Sequence, residues 1–180
     1  GMNIQRNPLC GRNFEYYSED PFLSGKMAAA VVRGVQEEGT CGAVIKHFAC
    51  NNQEDNRMGV DVHISERALR EIYLRGFEIA VKESAPVAIM TSYNRVTGVH
   101  AANSRALCTV IAREEWGFDG VLMSDWSTTA PEDGSIPWKC IETGNDLIMP
   151  GSEKDDADIR QAYADGRLSE KEIRLCAGRI

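Results

Sequence analysis

Residues 116–126, WGFDGVLMSDW, carry a short apolar run, Val121-Leu122-Met123, from a glycine turn straight into Ser124, Asp125 and Trp126. A run this brief is too short for a stand-alone helix and suits a strand buried on both faces. Serine and aspartate are good turn and helix-capping residues, so the plain reading of Asp125 is a cap or turn acid. The sharper reading is a carboxylate that does chemistry at a strand end.

Three more runs share this form. Ala43-Val44-Ile45 leads into Lys46-His47, Val87-Ala88-Ile89-Met90 into Thr91-Ser92-Tyr93-Asn94, and Asp146-Leu147-Ile148-Met149 into Pro150-Gly151. Four parallel strands are therefore predicted, starting near residues 43, 87, 121 and 146. Between and around them, segments 24–38, 65–83 and 104–116 place apolar side chains at spacings of three and four, the signature of amphipathic helices. Ser65 and Ser104 stand at the expected N-caps, and Ser169 with Glu172 forms a capping box for a last helix.

The repeated βα units are roughly 25 to 45 residues long, which fits either a (β/α)8 barrel or an open doubly wound sheet. Polar groups gathered at the C-terminal ends of successive strands favour the barrel, and the lack of a glycine-rich phosphate loop weakens a nucleotide-binding reading. A complete barrel takes about 250 residues. The 180 residues here thus predict either an open sheet or part of a larger domain.

Composition narrows the partners. With 20 basic and 27 acidic residues the formal charge is -7, and no Lys/Arg-rich run occurs, so neither nucleic acid nor an anionic membrane surface is an expected partner. No apolar stretch approaches the ~20 residues of a membrane helix. Cysteines at 10, 41, 50, 108, 140 and 176 show no zinc-finger spacing, and free, mostly buried thiols are the simplest reading. His47, His63 and His100 are dispersed, so no metal or cofactor is expected. Residues 1–8 lack the apolar centre of a signal peptide.

Beyond the strand ends, the chain resembles glycoside hydrolase family 3, the β-glucosidase and β-xylosidase group. The resemblance runs through NIQRNPLCGRNFEYYSEDP at 3–21, KHFACNNQEDNR at 46–57, SERALREIYLRGFE at 65–78, MTSYNRVTG at 90–98, WGFDGVLMSDW at 116–126 and GNDLIMPG at 144–151, all in the family's order. It implies an α/β fold, a partial TIM-type (β/α)8 barrel occupying residues 1–180 as one domain. Upstream strands and a following α/β sandwich domain are expected to lie outside these residues, as is the glutamate that acts as acid/base. An open barrel segment is expected to associate through exposed edges, and the isolated chain to have little or no glycosidase activity.

The same resemblance implies that Asp125 is the nucleophile of a retaining mechanism, attacking the anomeric carbon of a β-linked oligosaccharide or glycoside. Lys46 and His47 resemble the pair that hydrogen-bonds sugar hydroxyls, and Arg12 the guanidinium that grips vicinal hydroxyls. Met90 and Tyr93 resemble side chains lining the sugar subsite, with core packing as the plain alternative. Trp126 resembles an apolar face for the ring, or else is a core aromatic. Arg57 fits the motif and is expected to fix its loop by pairing with Glu54. A Ser-His-Asp triad of His47 and Asp125 with Ser124 or Ser92 lacks the G-x-S-x-G elbow and is disfavoured. The continuation Ala49-Cys50-Asn51-Asn52-Gln53-Glu54 departs from the glycine- and histidine-rich N-acetylglucosaminidase branch, pointing to the glucosidase or xylosidase branch. The leading expectation is an exo-acting β-glucosidase; alternatives are β-xylosidase, another exo-glycosidase of the family, or a non-catalytic carbohydrate-binding remnant.

Overall fold

A computed structural model describes residues 1–180. The strands are β1 (Val44–Phe48), β2 (Asp61–Val62), β3 (Ala88–Thr91), β4 (Arg95–Val96), β5 (Val99–His100) and β6 (Val121–Met123). β1, β3 and β6 form a parallel sheet in that order, with Ile45, Ile89 and Leu122 level with one another. All three side chains are buried and join the main apolar core beneath the helices. This parallel sheet backed by helices is the arrangement of a partial (β/α)8 barrel.

The expected strand near 146 is a correction. Only Leu147 bridges in parallel to Met123, and no fourth strand joins this sheet. Side chains interrupt the ladder: the Leu122 N–H donates to the Asp146 carboxylate at 2.8 Å, and the Met149 N–H to the Ser124 hydroxyl at 3.0 Å. Pro150, with no N–H of its own, follows directly. At the other edge, the Met2 N–H donates to the Lys46 carbonyl at 2.7 Å, so the opening residues run beside β1.

Helix α1 (Pro21–Gln36) begins at Asp20, whose carboxylate accepts from the N–H groups of Phe22 and Leu23, with proline in the first turn. The segment expected as one helix over 65–83 is α2 (Glu66–Ala68), a π-helical turn (Leu69–Tyr73) and α3 (Arg75–Ser84). α1 and α3 cross closely because Gly25 has no side chain: a Cβ there would lie 2.8 Å from Ile79 and 3.0 Å from the Gly76 carbonyl. The expected helix over 104–116 is π-helical across Ala106–Glu115, with Ser104 capping the Leu107 N–H at 3.3 Å. Then come α4 (Pro137–Thr143), α5 (Glu153–Ala164) and α6 (Glu170–Arg179), the last opened by the Ser169–Glu172 capping box.

A small second sheet, β2-β4-β5, had no sequence signal, because strands of two residues are too short to show alternation. All six cysteines are free, and Cys50, Cys108, Cys140 and Cys176 are buried. No helix is long and apolar enough to cross a membrane.

Candidate active site

The site grows from one irregularity in β1. Lys46 pairs with Met90 and Phe48 with Thr91, so His47 is an extra residue without a counterpart on β3. Strict alternation from Ile45 would send His47 into the core under the helices. The bulge resets that phase. Phe48 takes the core position, fully buried and edge-on to Phe77 and Trp116 at 5.3 and 5.7 Å, and His47 is released to the strand end.

Register places Lys46, Met90 and Met123 level across the sheet, offset by one residue from the buried Ile45, Ile89 and Leu122. Each is half-buried. Sequence does not single out Met123, since an apolar residue inside an apolar run gives no sign of which face it occupies. Two residues on, Asp125 Oδ2 lies 3.4 Å from His47 Nε2, with side-chain exposures of 12% and 1%.

Arg12 meets this pair at His47. The Arg12 guanidinium is 2.9 Å from His47 Nε2, and Arg12 Nε donates to Glu15. A guanidinium can only donate, so His47 Nε2 accepts and the ring proton sits on Nδ1. Burial first, then the charges of Arg12 and Lys46, hold the His47 pKa down at about 3. The imidazole is neutral near pH 7, and its contact with Asp125 is not an ion pair.

Arg57 pairs with Glu54 at 2.8 Å, as expected, and its guanidinium also lies over the Tyr93 ring, 4.8 Å from the centroid. The second Glu54 oxygen accepts from Asn51 at 2.9 Å. The Tyr93 hydroxyl donates to the Trp126 carbonyl at 2.8 Å. Burial and the nearby Asp125 charge push the Tyr93 phenol up to about 12, so it stays protonated. Burial also raises the Asp125 pKa above the ordinary aspartate value, against the pull of Tyr93, Lys46, Arg57 and Arg12.

The structure thus gathers Arg12, Lys46, His47, Tyr93 and Asp125, with Met90 in the same row as Lys46. The Trp126 side chain is 60% exposed and lies outside the apolar core of this chain. Neither serine of the disfavoured triad reaches His47: Ser124 donates to the Asp125 carbonyl at 3.0 Å and Ser92 to the Ala49 carbonyl at 2.8 Å. No cluster of His, Cys, Asp or Glu is arranged to hold a metal ion.

Two buried polar atoms here, Asp125 Oδ2 and His47 Nδ1, have no protein hydrogen-bond partner. Burying such groups unpaired costs about 1–3 kcal/mol each. One accepts and the other donates, and a hydroxyl group can satisfy either.

Comparison with known proteins shows which family the chain resembles. The model of the glycosyl hydrolase family 3 N terminal domain matches residues 2–180. An exo-alpha-(1->6)-L-arabinopyranosidase of Bifidobacterium breve is 49% identical, and the match covers all of this chain and 23% of that protein. A beta-glucosidase of Ruminococcus albus is 48% identical over all of this chain and 20% of its own length. Among solved structures, beta-glucosidase 3B from Thermotoga neapolitana in complex with glucose superimposes with a TM-score of 0.93 at 52% identity, covering 99% of this chain and 25% of that one. The chain therefore spans about a quarter or less of the length of these relatives.

Proposed function

The chain belongs to glycosyl hydrolase family 3, matching its N-terminal domain, and on that premise we propose that it carries the nucleophile and part of the sugar subsite of a retaining, exo-acting β-glucosidase. Asp125 attacks the anomeric carbon of a terminal non-reducing β-D-glucosyl residue, and water later releases the glycosyl-enzyme. Lys46, His47 and Arg12 bind ring hydroxyls, Met90 and Tyr93 wall the subsite, and Trp126 offers an exposed aromatic face. The observation that carries this reading is the buried, unpartnered Asp125 Oδ2, set 3.4 Å from His47 and pulled toward its ionised form by Tyr93, Lys46, Arg57 and Arg12.

Chemistry fixes what each group can do. A nucleophilic carboxylate must be ionised; Tyr93, Lys46, Arg57 and Arg12 pull against the upward shift that burial gives Asp125. The leaving oxygen needs a separate carboxylic acid, roughly 5 Å from the nucleophile in a retaining enzyme. Glu15 and Glu54 are unsuited, since each is tied to an arginine. Burial pushes the Glu15 pKa up, but the hydrogen bond and charge of Arg12 pull it down, toward the ionised form. The acid is assigned to the sandwich domain that family resemblance implies.

A 2-deoxy-2-fluoro-β-D-glucosyl fluoride tests the nucleophile, because its activated leaving group needs no acid assistance. Treated protein is expected to gain one fluoroglucosyl group on the peptide containing Asp125. A label on another residue, or an equal yield from Asp125→Asn, overturns the assignment.

One observation supports a second specificity. The Bifidobacterium breve relative is named for α-L-arabinopyranose, a sugar without the exocyclic hydroxymethyl group of glucose. Comparing 4-nitrophenyl β-D-glucoside, β-D-xyloside and α-L-arabinopyranoside as substrates decides between these exo-acting activities.

A further inference from the structure

In a regular parallel strand, successive residues turn their N–H and C=O groups to opposite neighbours. β1 breaks this rule at its bulge. The Lys46 carbonyl accepts from the Met2 N–H at 2.7 Å, on the edge facing the opening residues. His47, the next residue, turns to the same edge: its N–H donates to Asn3 Oδ1 at 2.9 Å, and its carbonyl accepts from Asn3 Nδ2 at 2.9 Å.

We propose that Asn3 is a positioning residue of the site, its side-chain amide gripping His47 at both backbone groups and fixing where the imidazole stands between Arg12 and Asp125. The chemistry is specific to an amide. Asparagine presents one acceptor and one donor from a single planar group, the complement of an N–H and C=O turned to one side. Asn3 is 4% exposed, so water cannot replace it freely. Its own segment is held in turn, since Asn52 Nδ2 donates to the Ile4 carbonyl at 2.6 Å.

The consequence reaches the ring. With the His47 backbone fixed, Nε2 is held 2.9 Å from the Arg12 guanidinium and the proton is confined to Nδ1. Releasing the backbone lets the ring leave Arg12 and sample both neutral tautomers. Sugar binding by Lys46 and His47 rests on the function proposed above; the hold on the ring does not.

Long-range 15N–1H spectra of the histidine rings in the full chain read this directly. The wild type is expected to show His47 as a single Nδ1–H tautomer. Asn3→Ala removes both bonds. Asn3→Asp keeps the acceptor for the His47 N–H but sets a carboxylate oxygen against the His47 carbonyl. Both variants are expected to give a mixture of tautomers, whereas Asn52→Ala, which breaks only the adjacent bond, keeps the wild-type pattern. An unchanged His47 pattern in Asn3→Asp overturns the proposal, as does an equal change in Asn52→Ala. Failure of both Asn3 variants to fold while Asn52→Ala folds also overturns it, by making the role purely structural. Titration with D-glucose separates the two ideas: Asn3→Asp is expected to weaken binding about tenfold, the value of one hydrogen bond. A wild type that binds no glucose refutes the sugar reading, while the tautomer pattern still decides the role of Asn3.

Discussion

The carboxylate of Asp146 accepts the backbone N–H of Leu122 at 2.8 Å, so a side chain stands where the next strand would continue the ladder. The same carboxylate pairs with Arg113 at 2.6 Å and Arg179 at 2.9 Å, and its own side chain is fully buried. Removing one member of a buried ion pair typically costs about 3–5 kcal/mol, because the remaining charge is stranded. Asp146→Ala is expected to lower stability by about that much. In a double-mutant cycle with Arg113→Met the two losses are expected to fall well short of adding, as measured by urea unfolding.

Asp125 has the opposite sign of linkage from a surface aspartate. Its folded pKa is raised, chiefly by burial, so the folded state binds the proton more tightly than the unfolded chain. Stability therefore falls as pH rises from the ordinary aspartate range through the raised value, and the ionised form is a net burden at neutral pH. Asp125→Asn keeps the shape and removes the charge. Its melting temperature is expected to exceed the wild type at pH 7, with the gap closing below the folded pKa of Asp125. A constant gap from pH 3 to 7 would sink this account.

For His47 the lowered pKa, about 3, works in the other direction. As pH drops below the ordinary histidine value of about 6.5, the unfolded chain takes up a proton that the folded chain refuses, so stability declines toward pH 3. Burial is the main cause and Arg12 the next. Arg12→Met is expected to raise the His47 pKa while leaving it below that of a free histidine, as followed by NMR titration.

Phe48 couples the site to the core, being fully buried one residue after His47. Phe48→Ala is expected to cost about 3–5 kcal/mol by calorimetry, the range for deleting a buried aromatic. Phe48→Leu, which loses less volume, is expected to cost less and to keep the bulge.

Much of this architecture was legible because apolar runs and polar strand ends are local signals. Val44–Phe48, Ala88–Thr91 and Val121–Met123 lie where those runs predicted, as do the capping serines. Features decided by hydrogen bonding between distant segments were not legible. Leu147-Ile148-Met149 is as apolar as the other runs, but Asp146 and Ser124 take the N–H groups that a ladder would use. The 104–116 pattern shows helical spacing without revealing π-helical bonding. The bulge at His47 leaves no compositional trace, yet it decides which of two neighbouring residues faces Asp125. Asn3 lies within a family motif, but its role becomes visible only when residues 3 and 47 are side by side.

The level row of Lys46, Met90 and Met123, one step from the buried Ile45, Ile89 and Leu122, makes reading frame within the strands decide which face each side chain takes. Inserting or deleting one residue upstream of Met90 in β3 would exchange it with Ile89, turning a core side chain to the opposite face and Met90 into the core. Loops between strands and helices can change length across descendants of this sequence, while the strands behave like the pins of a lock, where a single step misaligns every level at once.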